Sequence, residues 1–399
     1  MSGGKEKRWE NMSYGKLAEG WESEQSALMY SVGGLILSNA GKIAADYWLS
    51  EIYDDEIVQA HCNKEIYIHD LSRLTGYCTG WSLRKLVQEG IVGDNPKNTF
   101  APARHLPALF SQIIRFLKIM QSEWSGPQAL FSFDTYLAPF VKKDELTYTQ
   151  VKTCIESFIR EANRMKGWGT QLSFSNIILD WAVPEELAQL SAMVGGKEMD
   201  FTYQECKPEM DMINRAFLEI MMEEQVQDIQ EDMEFGDVQP MCARLRINLR
   251  QVREKSKESF GTDENTGSIG IVNINIPKMA YVSQDEEEFY YRLDEMMDIA
   301  ARALKIKCDV ITRLLEEGLY PYTKRYLGDF QQHFSTIGAM GLREAQKNAK
   351  WLNADFITGE TQEFTKEVLN HMEERVRDYE KVYGSLYNLE VMPIDLNMI

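Results

Sequence analysis

At 399 residues, with 44% hydrophobic residues including 8 Trp, 18 Tyr and 17 Phe, the chain has apolar area for one large domain or two smaller ones, which excludes a fibre or a disordered tail. Lys plus Arg of 43 against Asp plus Glu of 62 leaves a net charge of -19, which repels phosphate backbones and anionic lipid, so nucleic acid and membrane surfaces are poor partners. A small nucleotide remains compatible, because a helix N-terminus binds phosphate locally.

The N-terminus is polar, with no signal-peptide core, and no apolar run reaches about 18 residues; the expectation is a cytoplasmic protein. Periodicity at three-to-four spacing through Leu28, Val32, Leu35 and Ile36, then Ile43, Ala44, Trp48 and Ile52, predicts two helices around Asn39-Ala40-Gly41. Pro107 to Trp124 is apolar on most faces, which suits either the interior of the chain or an oligomer interface. Amphipathic helices fit Tyr148 to Met165, Pro208 to Glu224, Glu286 to Glu317 and Thr361 to Tyr383, and Val382-Tyr383-Gly384 reads as the C-cap of the last. Strand-like runs lie at Gln171 to Leu179, Ala243 to Leu249, Ile269 to Ile276 and Phe334 to Ala339. Gly90 to Asn98 and Lys255 to Thr266 read as polar loops, and Glu223 to Asp237 is acidic without strand character. Short strands alternating with long helices mean an α/β architecture.

The six cysteines (Cys62, Cys78, Cys154, Cys206, Cys242, Cys308) contain no Cys-x-x-Cys pair, so neither a disulfide framework nor a metal site is signalled and any thiol chemistry must be assembled by the fold. Cys78 follows Tyr67-Ile-His-Asp-Leu71 in a Gly-flanked loop, and Cys242 precedes the alternating run Ala-Arg-Leu-Arg-Ile-Asn-Leu; loops on a rigid scaffold and strand mouths are where reactive groups sit. A buried structural cysteine is the commoner reading of either thiol alone. His69 and Asp70 point to opposite faces of a strand and cannot form a dyad. His105, His333 and His371 read as lone satisfied histidines. Thr266 to Gly270 precedes a strand rather than following one, so it is a turn and not a phosphate loop. Asn273 and Asn275 alternate with Val272, Ile274 and Ile276, which places both amides on one face, where a buried sheet requires partners or a ligand for them.

Seven stretches in this order, EIYIHDL (Glu65 to Leu71), EWSGPQALFSFDTYLAPFV (Glu123 to Val141), WGTQLSFSNI (Trp168 to Ile177), MCARLRINLR (Met241 to Arg250), GSIGIVNINIP (Gly267 to Pro277), GLYPYTKRYL (Gly318 to Leu327) and HFSTIGAMGL (His333 to Leu342), resemble the catalytic subunit of the anaerobic (class III) ribonucleoside-triphosphate reductases. The resemblance implies a single catalytic domain over 1–399 with the glycyl-radical-enzyme type of ten-stranded α/β barrel, incomplete here and surrounded by long helices. One barrel half would span about 60–225, the second about 238–345, and a helical segment about 346–399. It implies that Cys242 becomes a thiyl radical that takes the 3′ hydrogen of a ribose, and that Cys78 delivers a reducing hydrogen once water leaves C2′. Substrate contacts would come from His69, Ser173, Ser175 and Asn275. Formate as reductant, a glycyl radical made by an S-adenosylmethionine iron-sulfur activase, an allosteric nucleotide and a homodimer complete what the family implies.

The sequence departs from the family pattern in four places. Ala243 stands where the second cysteine of Met-Cys-Cys-Arg-Leu is expected, and only Glu223 to Pro240 spans a stretch that carries barrel strands in the family. An N-terminal ATP-cone and a C-terminal domain with a radical glycine and paired Cys-x-x-Cys motifs are not found in these residues, so the radical is expected in trans. A nucleotide-binding or regulatory paralogue without catalysis, or a shortened reductase, are the alternatives.

Overall fold

The computed structural model describes residues 31–93, 99–163, 175–223, 238–240, 246–248, 265–352 and 359–392. Helix α1 (Val32–Tyr47) runs on through a π-helical turn (Trp48–Ile52) before α2 (Asp55–Cys62). The break expected at Asn39-Ala40-Gly41 is therefore absent. Gly41 stays helical because it lets the chain at Ser72 approach; a Cβ there would lie 2.9 Å from that of Ser72. The interruption falls instead at Tyr53-Asp54, where the Asp54 carboxylate caps α2 by accepting from Ile57 N at 3.0 Å.

The chain continues with β1 (Ile66–Ile68), β2 (Cys78–Ser82), α3 (Leu83–Glu89), α4 (Leu106–Met120), β3 (Gln128–Phe131), α5 (Phe133–Lys143), α6 (Tyr148–Ala162) and β4 (Ser175–Ile177). A short helix α7 (Glu185–Ala188), the hairpin β5 (Ser191–Val194) and β6 (Lys197–Thr202), and α8 (Lys207–Glu223) follow. Strands β7 (Val238–Pro240) and β8 (Arg246–Asn248) pair antiparallel. The last third holds β9 (Gly267–Asn275), α9 (Ile276–Val282), α10 (Glu286–Glu316), α11 (Pro321–Tyr326), β10 (His333–Met340), α12 (Leu342–Asn348), α13 (Gly359–Tyr383) and β11 (Leu386–Met392). Gly384, at φ 68°, ends α13 as its sequence suggested, with its N–H donating to Glu380 O. The closing strand β11 was not foreseen in the segment expected to be helical.

Seven strands form the main sheet in the order β11-β10-β9-β2-β3-β4, with β1 also on β9. Strands β9, β10 and β11 are parallel, as are β2, β3 and β4, whereas β1 and β2 both meet β9 antiparallel, at its two ends. Among the described residues β11 and β4 are edges; the ten-stranded closure implied by the resemblance is not among the described pairings.

One face of this sheet is covered by helices. Trp81, Leu130 and Ile269 pack with α3, α4, α5, α6 and α8 in one core, and Val272, Ile274, Ile337 and Tyr387 pack with α2, α9, α10 and α13 in a second. Helix α4 buries Leu109, Phe110, Ile113, Phe116, Leu117 and Met120 in the first core. That apolar face is spent within the chain, so of the two readings of Pro107 to Trp124 the interior one holds. At the β4 end, the fully buried Asp134 carboxylate on α5 accepts from the amides of Asp180 and Trp181 at 2.9 and 3.1 Å and from Asn214 Nδ2 at 2.8 Å, which ties the exit of β4 to α5 and α8.

Candidate active site

The face away from the helices is built by alternation, and a single irregularity decides its content. Strand β9 bulges where its register with β10 shifts between Phe334 and Ser335. Ile269 joins the helix-side core and Gly270 faces α10, so two successive residues point the same way. Without the bulge, Ser268 and Asn273 would stand on opposite faces, because their numbers differ by an odd count. With it, Ser268, Ile271 and Asn273 share the open face with Cys78, which is paired to Ser268, and with Tyr67, which is paired to Asn273.

The face grades along the strands. At one end Cys78, with no exposed surface, lies among Ala129, Phe131, Phe334 and Leu386. At the other, Ile271, Met340 and Met392 form a small apolar cluster against Tyr67 and Tyr77. Between them the row is polar. Ser268 Oγ and Thr336 Oγ1 share a hydrogen bond of 2.9 Å, Asn388 is paired in register with Thr336, and Glu390 is paired with Gly338. Asn273 Nδ2 donates to His69 Nε2 at 2.8 Å, which assigns the imidazole proton to Nδ1. Gly338 is the gap in this row: a Cβ there would lie 1.9 Å from Asn273 Oδ1.

The loop from His69 to Tyr77 that delivers Cys78 is held from every side. His69 N donates to Ile271 O and Tyr77 N to the carbonyls of Ser268 and Ile269 at the bulge. Trp48 Nε1 donates to Arg73 O at 3.0 Å, the Tyr320 hydroxyl to Leu74 O, and Arg73 Nη1 to Ser125 O at 3.2 Å. Gly126 N donates to Tyr77 O at 2.6 Å. Satisfying the loop's backbone groups this completely leaves its thiol little freedom.

Beneath the bulge, on the helix side, Lys307 of α10 is 2% exposed, and its Nζ has no hydrogen-bond partner among the described residues. Its stem occupies the space a side chain at 270 would need, 2.9 Å from where that Cβ would sit. Burial drives the Lys307 pKa down, opposed by the charge of Asp70 in the turn that opens the Cys78 loop, at φ 59°.

Of the residues expected at the site, Cys78 and His69 share the open face. Cys242 and Ser173 lie outside the described residues. Ser175 pairs with Gln128, whose amide accepts from Trp81 Nε1 at 2.8 Å on the helix-covered side, so Ser175 faces away from Cys78. Its neighbour Asn176, paired with Ala129, is the one on the open face. Asn275 shares the face of Asn273, as the alternation predicted, but its amide caps α9, accepting from Lys278 N at 3.1 Å and donating to Lys64 O at 3.0 Å. Asn388 and Glu390 on β11 were missed. Their only sequence signal is the alternation Tyr-Asn-Leu-Glu-Val, too short to read beside a long helix. The remaining histidines have local partners: His105 meets Asp144 at 3.0 Å, His371 meets Asp294 at 2.7 Å, and His333 meets Thr79 Oγ1 at 2.9 Å. Among the described residues, no helix is long and apolar enough to cross a membrane.

The anaerobic ribonucleoside-triphosphate reductase family model matches residues 24–235 and 224–395. The anaerobic ribonucleotide reductase from Thermotoga maritima, solved in complex with dATP and CTP, superposes with a TM-score of 0.68 at 17% identity, covering 89% of this chain and 68% of that one. The Thermotoga maritima enzyme solved with glycerol in the active site gives a TM-score of 0.71 at 17% identity, over 94% of this chain and 70% of that one. No curated protein sequence matches the chain. With the family model matched over nearly its whole length, the chain belongs to the anaerobic ribonucleoside-triphosphate reductases, a family of oxidoreductases that work by radical chemistry.

Proposed function

We propose that the chain is the body of a cytoplasmic, homodimeric reductase that converts ribonucleoside triphosphates to deoxyribonucleoside triphosphates, with Cys242 as the thiyl residue and Cys78 as the reducing thiol. The observation that carries the reading is the β9 bulge, which puts a fully buried thiol and a polar row on one face of the sheet. A carbon radical survives only away from solvent, and Cys78 sits among apolar neighbours with no exposed surface.

In this reading the Cys242 thiyl takes the 3′ hydrogen of the ribose, the 2′ hydroxyl leaves as water with the 3′ hydroxyl proton, the Cys78 S–H gives its hydrogen to C2′, and the Cys242 S–H returns a hydrogen to C3′ once two electrons have come from formate, which is oxidised to carbon dioxide. His69 and Asn273 hold each other at the polar row beside the sugar. Formate supplies electrons when bound, and a glycyl radical raised by an S-adenosylmethionine activase supplies the unpaired electron.

The test is anaerobic incubation with activase, S-adenosylmethionine, formate and a ribonucleoside triphosphate, with and without a chain carrying the radical glycine. Deoxynucleotide that disappears in Cys78→Ala and Cys242→Ala supports the reading. Absence of both product and paramagnetic signal with every component present refutes it.

A further inference from the structure

Resting on that reading, we propose that the ribose hydroxyls of the nucleotide are held over Gly338, between Asn273 on β9 and Asn388 and Glu390 on β11. Asn388 is 9% exposed, and neither its Nδ2 nor its Oδ1 has a partner among the described residues. Asn273 is 2% exposed and its Oδ1 likewise has none. Orphaned amide groups in a closed interior are costly and uncommon in native proteins. Three such atoms on one face, carried by the two strands that flank β10, point to a ligand that supplies both donors and acceptors.

The chemistry of the row narrows the choice. Asn273 Oδ1 and the Glu390 carboxylate, which is 5% exposed, are acceptors, and they repel a phosphate while welcoming O–H donors. The Asn388 amide presents an NH2 donor and a carbonyl acceptor, which suits a hydroxyl that both gives and receives a hydrogen bond. Gly338, in register with Asn273 on one side and Glu390 on the other, lets the Asn273 amide lie against β10, where a Cβ at 338 would be 1.9 Å from its Oδ1. A vicinal diol meets these requirements, and the sugar of a ribonucleotide carries one.

The experiment measures equilibrium binding of CTP, 2′-deoxy-CTP and 3′-deoxy-CTP to the whole chain and to Asn388→Leu, Asn388→Ser and Glu390→Gln, with thermal melting of each. Wild type is expected to prefer CTP over the deoxy analogues. Asn388→Leu should erase at least about tenfold of that preference by weakening CTP alone, without lowering Tm, since an apolar residue there removes two unpartnered groups. Asn388→Ser reports the same loss if the leucine variant does not fold. Unchanged discrimination in the Asn388 and Glu390 variants, with CTP still bound, overturns the subsite and leaves the functional reading standing. Failure of the unsubstituted chain to bind any of the three nucleotides overturns that reading and the subsite with it.

Discussion

Gly338→Ala is the smallest change that probes the open face. The new Cβ would lie 1.9 Å from Asn273 Oδ1, 2.9 Å from Asn273 Cγ and 3.3 Å from Met392 Cγ. The methionine can yield, but the amide has to retreat by roughly 1.5 Å to reach ordinary contact. Its bond to His69 Nε2 starts at 2.8 Å and does not survive that shift. Overpacking of about 1–3 kcal/mol plus a lost hydrogen bond of about 1 kcal/mol gives a destabilisation of roughly 2–4 kcal/mol. For a chain of this length that lowers Tm by roughly 2–5 °C. Differential scanning calorimetry on Gly338→Ala, Asn273→Ala and the double variant separates the terms. Once the Asn273 amide is gone, the alanine at 338 should cost little, giving a coupling of about 1.5 kcal/mol or more. A Gly338→Ala melt within about 1 °C of wild type, or additivity in the double variant, refutes the packing argument.

Other consequences follow from buried groups. Burial holds the Lys307 pKa below its ordinary value, so the unfolded chain binds this proton more readily than the folded one. The resulting penalty is present at neutral pH and fades as pH rises toward the unfolded value of about 10.4. Lys307→Met should therefore be as stable as wild type or about 1 kcal/mol more so at pH 7, with the advantage shrinking by pH 9.5; a variant less stable at both pH values contradicts this. His333 is pushed down to about 3 by burial, so its contribution is whole above the unfolded pKa of about 6.5 and is lost at roughly 1.4 kcal/mol per pH unit as pH falls below that. Urea midpoints from pH 7 to pH 4 should fall less steeply for His333→Gln than for wild type, and parallel curves would show that His333 does not titrate on unfolding. Cys62 is exposed and Cys78 is buried, so iodoacetamide with peptide mass spectrometry should label Cys62 first. Tyr320→Phe, which frees Leu74 O, should speed Cys78 labelling roughly tenfold by loosening its loop; an unchanged rate would mean that this anchor does not restrain the thiol.

The long helices and the strands β9 and β10 were legible because their signals are local. Glu286 to Glu316 repeats at helical spacing behind the Asp285 cap, and Val272 to Ile276 alternates at strand spacing. Family membership was legible from seven colinear stretches, a property of order along the chain. The site's composition was not. Cys78 and His69 stand 9 positions apart, and Cys78, paired with Ser268, shares a face with His69 and Asn273 only because β9 bulges at Ile269-Gly270 and reverses its parity. Ser175 and Asn176 differ by one residue, and only the register of β4 on β3 decides which of them faces Cys78. Asn388 and Glu390 arrive from the C-terminal strand, more than 100 residues beyond Asn273. Sequence by itself determines what each segment can become, since helix and strand periods depend on near neighbours. Which side chains meet is set by register, bulges and strand order, and these are fixed by hydrogen bonds between segments that are far apart in the chain.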